Sequence, residues 1–229
     1  MLTILTATTA ATAAARRLTT LERLKRDFLS PEATYTDIAL NSLIDEASAT
    51  VARYLNIRSA GLSRPTLAAE VLEEVFPETR SPRTSVTLSR APVRDVTAVT
   101  EGEVRIPRLI DGAANAKFDF EYDAGSGVLR AIRRELTRDR IKVEYQAGFL
   151  TTSDETRDLP YEIETACVLL CQQLANRISE ARGNSVHIKA ANLTGLGALT
   201  FDSGVLSSWQ SGLPADVRSV LSAYMRPNL

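Results

Sequence analysis

Between residues 141 and 174 the apolar period of the chain changes from that of a strand to that of a helix, and this junction constrains the fold most. Ile141, Val143 and Tyr145 alternate with Lys142, Glu144 and Gln146, the mark of a strand with one buried face. Gly148 ends the run, and residues 151–158 read as a solvated acidic loop. Pro160 suits a first helical turn, and Glu162 and Glu164 put negative charge where a helix N-terminus stabilises it. Ile163, Cys167, Leu170, Leu174 and Ile178 then share one helical face through about residue 179. No catalytic motif lies in the junction. It reads as scaffold.

The flanking sequence divides by period. Thr19-Thr20-Leu21-Glu22 has the form of a capping box, with Thr19 as the cap and Glu22 reaching back, opening a helix through Phe28. Ser30-Pro31 marks a break. A second helix over residues 36–56 carries Leu40, Leu43, Ile44, Ala47, Val51, Tyr54 and Leu55 on one stripe, giving a helical hairpin. Residues 67–75 fit a helix or a strand equally well. From Thr84 the period is two, with a hairpin turn at Glu101-Gly102, alternation at Phe118, Phe120 and Tyr122, and a turn over residues 123–127. After Gly183-Asn184 comes a weakly alternating stretch at Val186, Ile188 and Ala190, then a returning strand around Leu199. Leu213-Pro214-Ala215-Asp216 repeats the Leu-Pro opening of residue 159 and starts a last helix, which Pro227 stops. The expected class is α+β: a helical bundle, an inserted antiparallel β-unit, and a C-terminal hairpin plus helix. The expected segments, within one composite domain, are a flexible lead-in over 1–17 with a short edge strand at residues 2–5, a helical hairpin over 18–60, a β-rich unit over 61–150, and a helix, hairpin and docking helix over 151–229.

Composition narrows function by exclusion. With 229 residues, 44% apolar and 24% charged, the chain can bury a sizeable core. A formal net charge of −1 gives no whole-chain field for nucleic acid or an anionic membrane, and removes self-repulsion between copies. The Ala/Thr-rich start lacks the basic leading region of a signal peptide, and no apolar run approaches the roughly 18 residues that span a bilayer. Cys167 and Cys171, four apart on the long helix, have no second pair to complete a metal site, and His187 is the sole histidine. Two reduced core cysteines are the simpler reading, and they fit a reducing compartment.

Candidate chemistry is sparse. Gly195-Leu196-Gly197 is half a dinucleotide fingerprint without its βαβ context, and His187 has no neighbouring nucleophile. The basic run Arg130, Arg133, Arg134, Arg138 and Arg140, with a scatter at Arg80, Arg83, Arg90 and Arg94, offers phosphate contacts. It lacks interleaved aromatics, and Glu135 and Asp139 dilute it, so a solvated edge is the better reading. Trp209, Tyr224 and Met225 read either as interface anchors or as the closure of the chain's own core. No catalytic, cofactor or metal residue is assigned.

The order of these elements resembles the tailed-phage head–tail connector family (adaptor, or head-completion, proteins), including relatives encoded in prophages and gene transfer agents. The residues that carry it are the helical hairpin at 18–54, Leu-Ser-Arg-Ala-Pro-Val-Arg-Asp-Val-Thr-Ala-Val-Thr at 88–100, the strand at 141–149, the Leu-Pro helix from Leu159, and the closing Leu213-Pro-Ala-Asp-Val through Tyr224. The resemblance implies a virion protein without catalysis, assembled in the host cytoplasm and resident in the particle neck. Its copies would form a ring, dodecameric in the family, beneath the portal. DNA would pass through the ring as cargo, and a head-closure or tail component would attach below. The resemblance also implies that the C-terminal segment docks on the portal protein, which makes Trp209, Asp216, Arg218, Tyr224, Met225 and Arg226 the candidate interface. The competing expectation is a helix-turn-helix DNA-binding protein over residues 18–56, against which stands the balanced-to-acidic character of its second helix.

Overall fold

The edge strand expected at residues 2–5 is present further along and takes in residues expected as flexible lead-in: Ile4–Thr9 (β1) lies at the edge of its sheet and pairs antiparallel with residues 71–75. Its β-branched threonines favour extended backbone. Leu5 turns into the core, while Ile4, Thr6 and Thr8 stay exposed. The computed structural model describes residues 3–28, 35–61, 64–79, 81–106, 120–132, 136, 139–151, 157–181, 190–193, 197–200 and 213–225, with backbone alone from 177 to 200. They form two units, one of residues 1–12 and 57–150 and one of 13–56 and 151–228. The β-unit is thus more than an insertion, because the first strand of the chain belongs to it.

After β1 come helices α1 (Leu21–Phe28) and α2 (Asp37–Tyr54), then β2 (Glu70–Phe76), β3 (Ser85–Thr87), β4 (Val93–Glu101), β5 (Val104–Ile106), β6 (Phe120–Tyr122), β7 (Val128–Ala131) and β8 (Ile141–Ala147). Helix α3 (Tyr161–Ala181), strands β9 (Ala190–Leu193) and β10 (Gly197–Thr200), and α4 (Ala215–Leu221) follow, with a closing 3-10 turn at Ser222–Tyr224. The architecture is mixed α+β, as the sequence predicts.

In the β-unit a five-stranded antiparallel sheet, ordered β1-β2-β8-β4-β5, shares a core with the three-stranded sheet β3-β7-β6. Ile141, Val143 and Tyr145 of β8 are completely buried, with Leu72, Val99, Leu129 and Leu136 around them. Each such side chain stabilises by roughly 1.5–3 kcal/mol before entropy is subtracted. Residues 67–75, ambiguous in sequence, resolve as β2, and the ambiguity has a cause. The inward positions of β2 are Glu70, Leu72, Glu74 and Phe76, so two carboxylates break the apolar alternation. They are stabilised by partners. Glu74 accepts from the Ser89 amide at 2.9 Å, from the Ser89 hydroxyl, and from the Tyr145 hydroxyl at 2.9 Å. Glu70 pairs with the buried Arg90 at 3.1 Å and accepts from the Ala11 amide at 3.1 Å. Gly148 closes β8 at φ +113, where a Cβ would meet the Ala68 carbonyl oxygen at 2.4 Å.

In the helical unit α3 is central. Sequence predicts one apolar face, yet every residue from Ile163 to Gln172 is buried, because α1, α2 and α4 all pack on this helix. The cap of α1 is Thr20, not Thr19: the Thr20 hydroxyl accepts from the Arg23 amide at 3.2 Å. Thr19 is drawn into the core beside Leu18, whose amide donates to the Ser48 hydroxyl at 3.1 Å. Thr36 caps α2 through the Ala39 amide.

Candidate assembly surface

The C-terminal segment divides its residues between core and surface by helical period. Leu213, Val217 and Leu221 are buried, and α4 packs on α3, so this face closes the core of the helical unit. Asp216 is exposed, Arg218 is half-buried, and the Ser219 hydroxyl donates to the Asp216 carbonyl at 2.8 Å. The 3-10 turn buries none of its residues. Tyr224 is half-buried and its hydroxyl donates to Glu162 Oε2 at 3.1 Å. Burial, then the hydrogen bond to Glu162, raise the Tyr224 phenol above its ordinary ionisation. Met225 follows at 44% exposure. Trp209 and Arg226 lie outside the described residues, as do His187, Arg80, Arg133, Arg134 and Arg138.

The first turn of α3 completes this surface. Tyr161 is 42% exposed, with the Arg23 guanidinium 4.7 Å from its ring centroid. Arg23 also reaches the buried carboxylate of Glu164, which pairs on its other oxygen with Arg157 at 2.9 Å. Arg157 donates to the Leu18 carbonyl, and the Thr151 hydroxyl donates to that of Ala15. The described ends of the 151–158 loop are therefore tied to the segment leading into α1. The surface joins Tyr161, Glu162, Tyr224 and Met225. Sequence alone does not point to the first two, because Leu-Pro-Tyr-Glu reads as a helix opening. The sole signal was an aromatic at a first-turn position that core packing does not need.

Among the described residues the arginines do not form one phosphate track. Arg90 is buried against Glu70, and Arg83 donates to the Pro77 carbonyl. Arg130 is exposed on β7 but lies opposite Glu121 of β6. Arg140 is exposed beside Asp139. Cys167 and Cys171 are buried, free thiols. Cys167 lies 3.6 Å from the Ser48 hydroxyl, and the Cys171 thiol is pushed well up by Cys167 and by burial. Among the described residues no group of His, Cys, Asp and Glu could hold a metal ion, and no helix is long and apolar enough to cross a membrane.

The fold defines an α+β protein of two units. Solved structures contain chains of this fold. A chain in a structure described as the neck of an empty gene transfer agent (GTA) particle, computed with C6 symmetry, is 19% identical with a TM-score of 0.57, over 99% of this chain and 97% of that one. A chain in the neck of the native particle, computed with C12 symmetry, is 16% identical with a TM-score of 0.56, over 99% and 97%. A chain in the virion of the native particle is 17% identical with a TM-score of 0.56, over 98% and 96%. No family model and no curated protein sequence matches the chain.

Proposed function

We propose that the chain is a structural virion protein of the particle neck, a head–tail connector whose copies close into a ring beneath the portal. The observation that carries this is the end-to-end correspondence with chains of GTA particles, including necks computed with C6 and C12 symmetry. Because the match spans both units and their order, it supports shared architecture beyond one common motif. A ring follows physically when a heterologous interface closes on itself. The reading gives the chain no catalytic role and no cofactor, with DNA as passing cargo.

The docking surface in this reading is the C-terminal segment, with Asp216, Arg218, Tyr224 and Met225 described and Trp209 and Arg226 added from sequence. Portal is the proposed partner of this segment, and a head-closure or tail component the partner below. The helix-turn-helix alternative is disfavoured by geometry. Asp45 of α2 holds Arg17 at 2.7 Å, and Asp37 and Glu46 are exposed along the helix that would have to enter a groove.

Truncation after Leu221 tests the reading, because it keeps the buried Val217 and Leu221 whereas removal from Pro214 would open the core. In a producer strain lacking the gene, the truncated protein should be folded and soluble but should yield heads without tails in electron micrographs. Normally tailed particles would sink the docking assignment. Tailed particles from the strain with no copy of the gene would sink the connector reading itself.

A further inference from the structure

Leu221 is the last buried side chain of the described C-terminus. The chain nevertheless continues in a defined 3-10 turn and leaves it extended, with Met225 at φ −63 and ψ 128. Within the turn, the Met225 amide reaches the Ser222 carbonyl at 3.4 Å, at the long end for a hydrogen bond, and the Ser222 hydroxyl bonds back to Ser219 in α4. Neither contact reaches beyond the turn and the helix α4 that leads into it. Among the described residues, the Tyr224 hydroxyl to Glu162 is the one side-chain hydrogen bond that joins the turn to a different part of the fold. Glu162 sits on the first turn of α3. The neighbouring ring, Tyr161, is held under Arg23, which is itself paired with the buried Glu164. The acceptor therefore stands on a fixed base, and the donor stands on a turn with no apolar anchor.

We infer that Glu162 is a positioning residue. By holding Tyr224 it fixes where the 3-10 turn and Met225 lie, and so orients that part of the docking surface before it meets its partner. This rests on the docking role given to that segment above. An oriented segment loses less freedom on association than a loose one, so the latch contributes to attachment without touching the partner.

Three variants isolate it: Tyr224→Phe removes only the donor, Glu162→Ala removes the acceptor, and Glu162→Gln keeps a carbonyl oxygen that can accept. Hydrogen exchange of amides 222–225 in the purified full-length protein should quicken about fivefold in the first two, the worth of one net hydrogen bond, and return towards native in Glu162→Gln. The thermal midpoint should stay within about 2 °C of native, because no core residue changes. The yield of tailed particles should fall in the same order as the exchange protection. Unchanged exchange in Tyr224→Phe overturns the latch. Quickened exchange with a native yield of tails overturns its part in orientation. Normal tailing by the truncation after Leu221 overturns the docking reading, a failure that leaves the exchange result standing.

Discussion

Arg90 offers the sharpest quantitative test of how the β-unit is held together. It is 2% exposed, donates to the Thr66 carbonyl, and pairs with Glu70 at 3.1 Å inside the unit. Removing one member of a buried ion pair costs about 3–5 kcal/mol, because the other charge is left without compensation. Arg90→Met keeps much of the volume and removes the cation with its donor to the Thr66 carbonyl, so its loss reports charge and hydrogen bonding more than cavity. Against a urea slope of about 2 kcal/mol per molar, a loss of about 4 kcal/mol lowers the midpoint by about 2 M. Total stability of a domain is only about 5–15 kcal/mol, so the variant should sit near the edge of folding at 37 °C. The second arm is Arg90→Met with Glu70→Leu. With both charges gone, what remains is the loss of partners for the Thr66 carbonyl and the Ala11 amide, about 1 kcal/mol each. The double variant should therefore be more stable than the single one by about 2 kcal/mol or more. Urea titration by circular dichroism on the native protein and both variants measures this. A single variant losing less than about 1 kcal/mol, or a double variant less stable than the single, would refute the reasoning.

Three further outcomes are expected. Gly148→Ala places a Cβ 2.4 Å from the Ala68 carbonyl oxygen at φ +113, so it should lose about 2–4 kcal/mol in the same titration; a native midpoint would mean the β8 end relaxes freely. Burial, then the charge and hydrogen bond of Glu74, raise the Tyr145 phenol, and Cys167 with burial raises the Cys171 thiol. The unfolded chain then ionises first, so the stability these groups contribute is full below the unfolded values, about 8.5 for a thiol and about 10 for a phenol, and is lost as pH rises beyond them. Urea midpoints at pH 7, 9 and 10.5 should decline, and Tyr145→Phe should start lower but decline less steeply; parallel declines count against the assignment. Iodoacetamide at pH 8 should leave both cysteines unlabelled in the native protein and label both in urea, since both are buried; rapid native labelling would contradict the packing of α3.

What sequence made legible depended on whether burial followed a period. At β8 it did: Ile141, Val143, Tyr145 and Ala147 are the buried set, and Lys142, Glu144 and Gln146 the half-exposed one. The hairpin at Glu101-Gly102 was legible for a local reason, since Gly102 takes φ +59 where the turn needs it. At β2 the period failed because two inward positions hold carboxylates whose partners, Ser89, Tyr145 and Arg90, come from other strands or loops. Arg90 itself read as part of a surface scatter for the same reason. An ion pair formed across sequence separation leaves no local trace. The first strand is legible only in part, as an edge strand at residues 2–5, because Ile4–Thr9 owes its order to β2, not to its own alternation.

The candidate assembly surface is half legible in the sequence, and the division follows from what helical period can encode. Period separates Val217 and Leu221, which face the core, from Asp216, which does not. It cannot separate an exposed residue that meets water from one that meets a partner, because an isolated chain buries neither. Tyr161 and Met225 become visible as a pair only when the fold brings residue 224 to residue 162, a closure spanning 62 positions. The core role of α4 is also why substitutions at its buried positions cannot test docking. Changes at Val217 or Leu221 would unpack α3, whereas Tyr224→Phe and Glu162→Ala leave the core intact. The loss of tails can then be read as a loss of orientation rather than of folding.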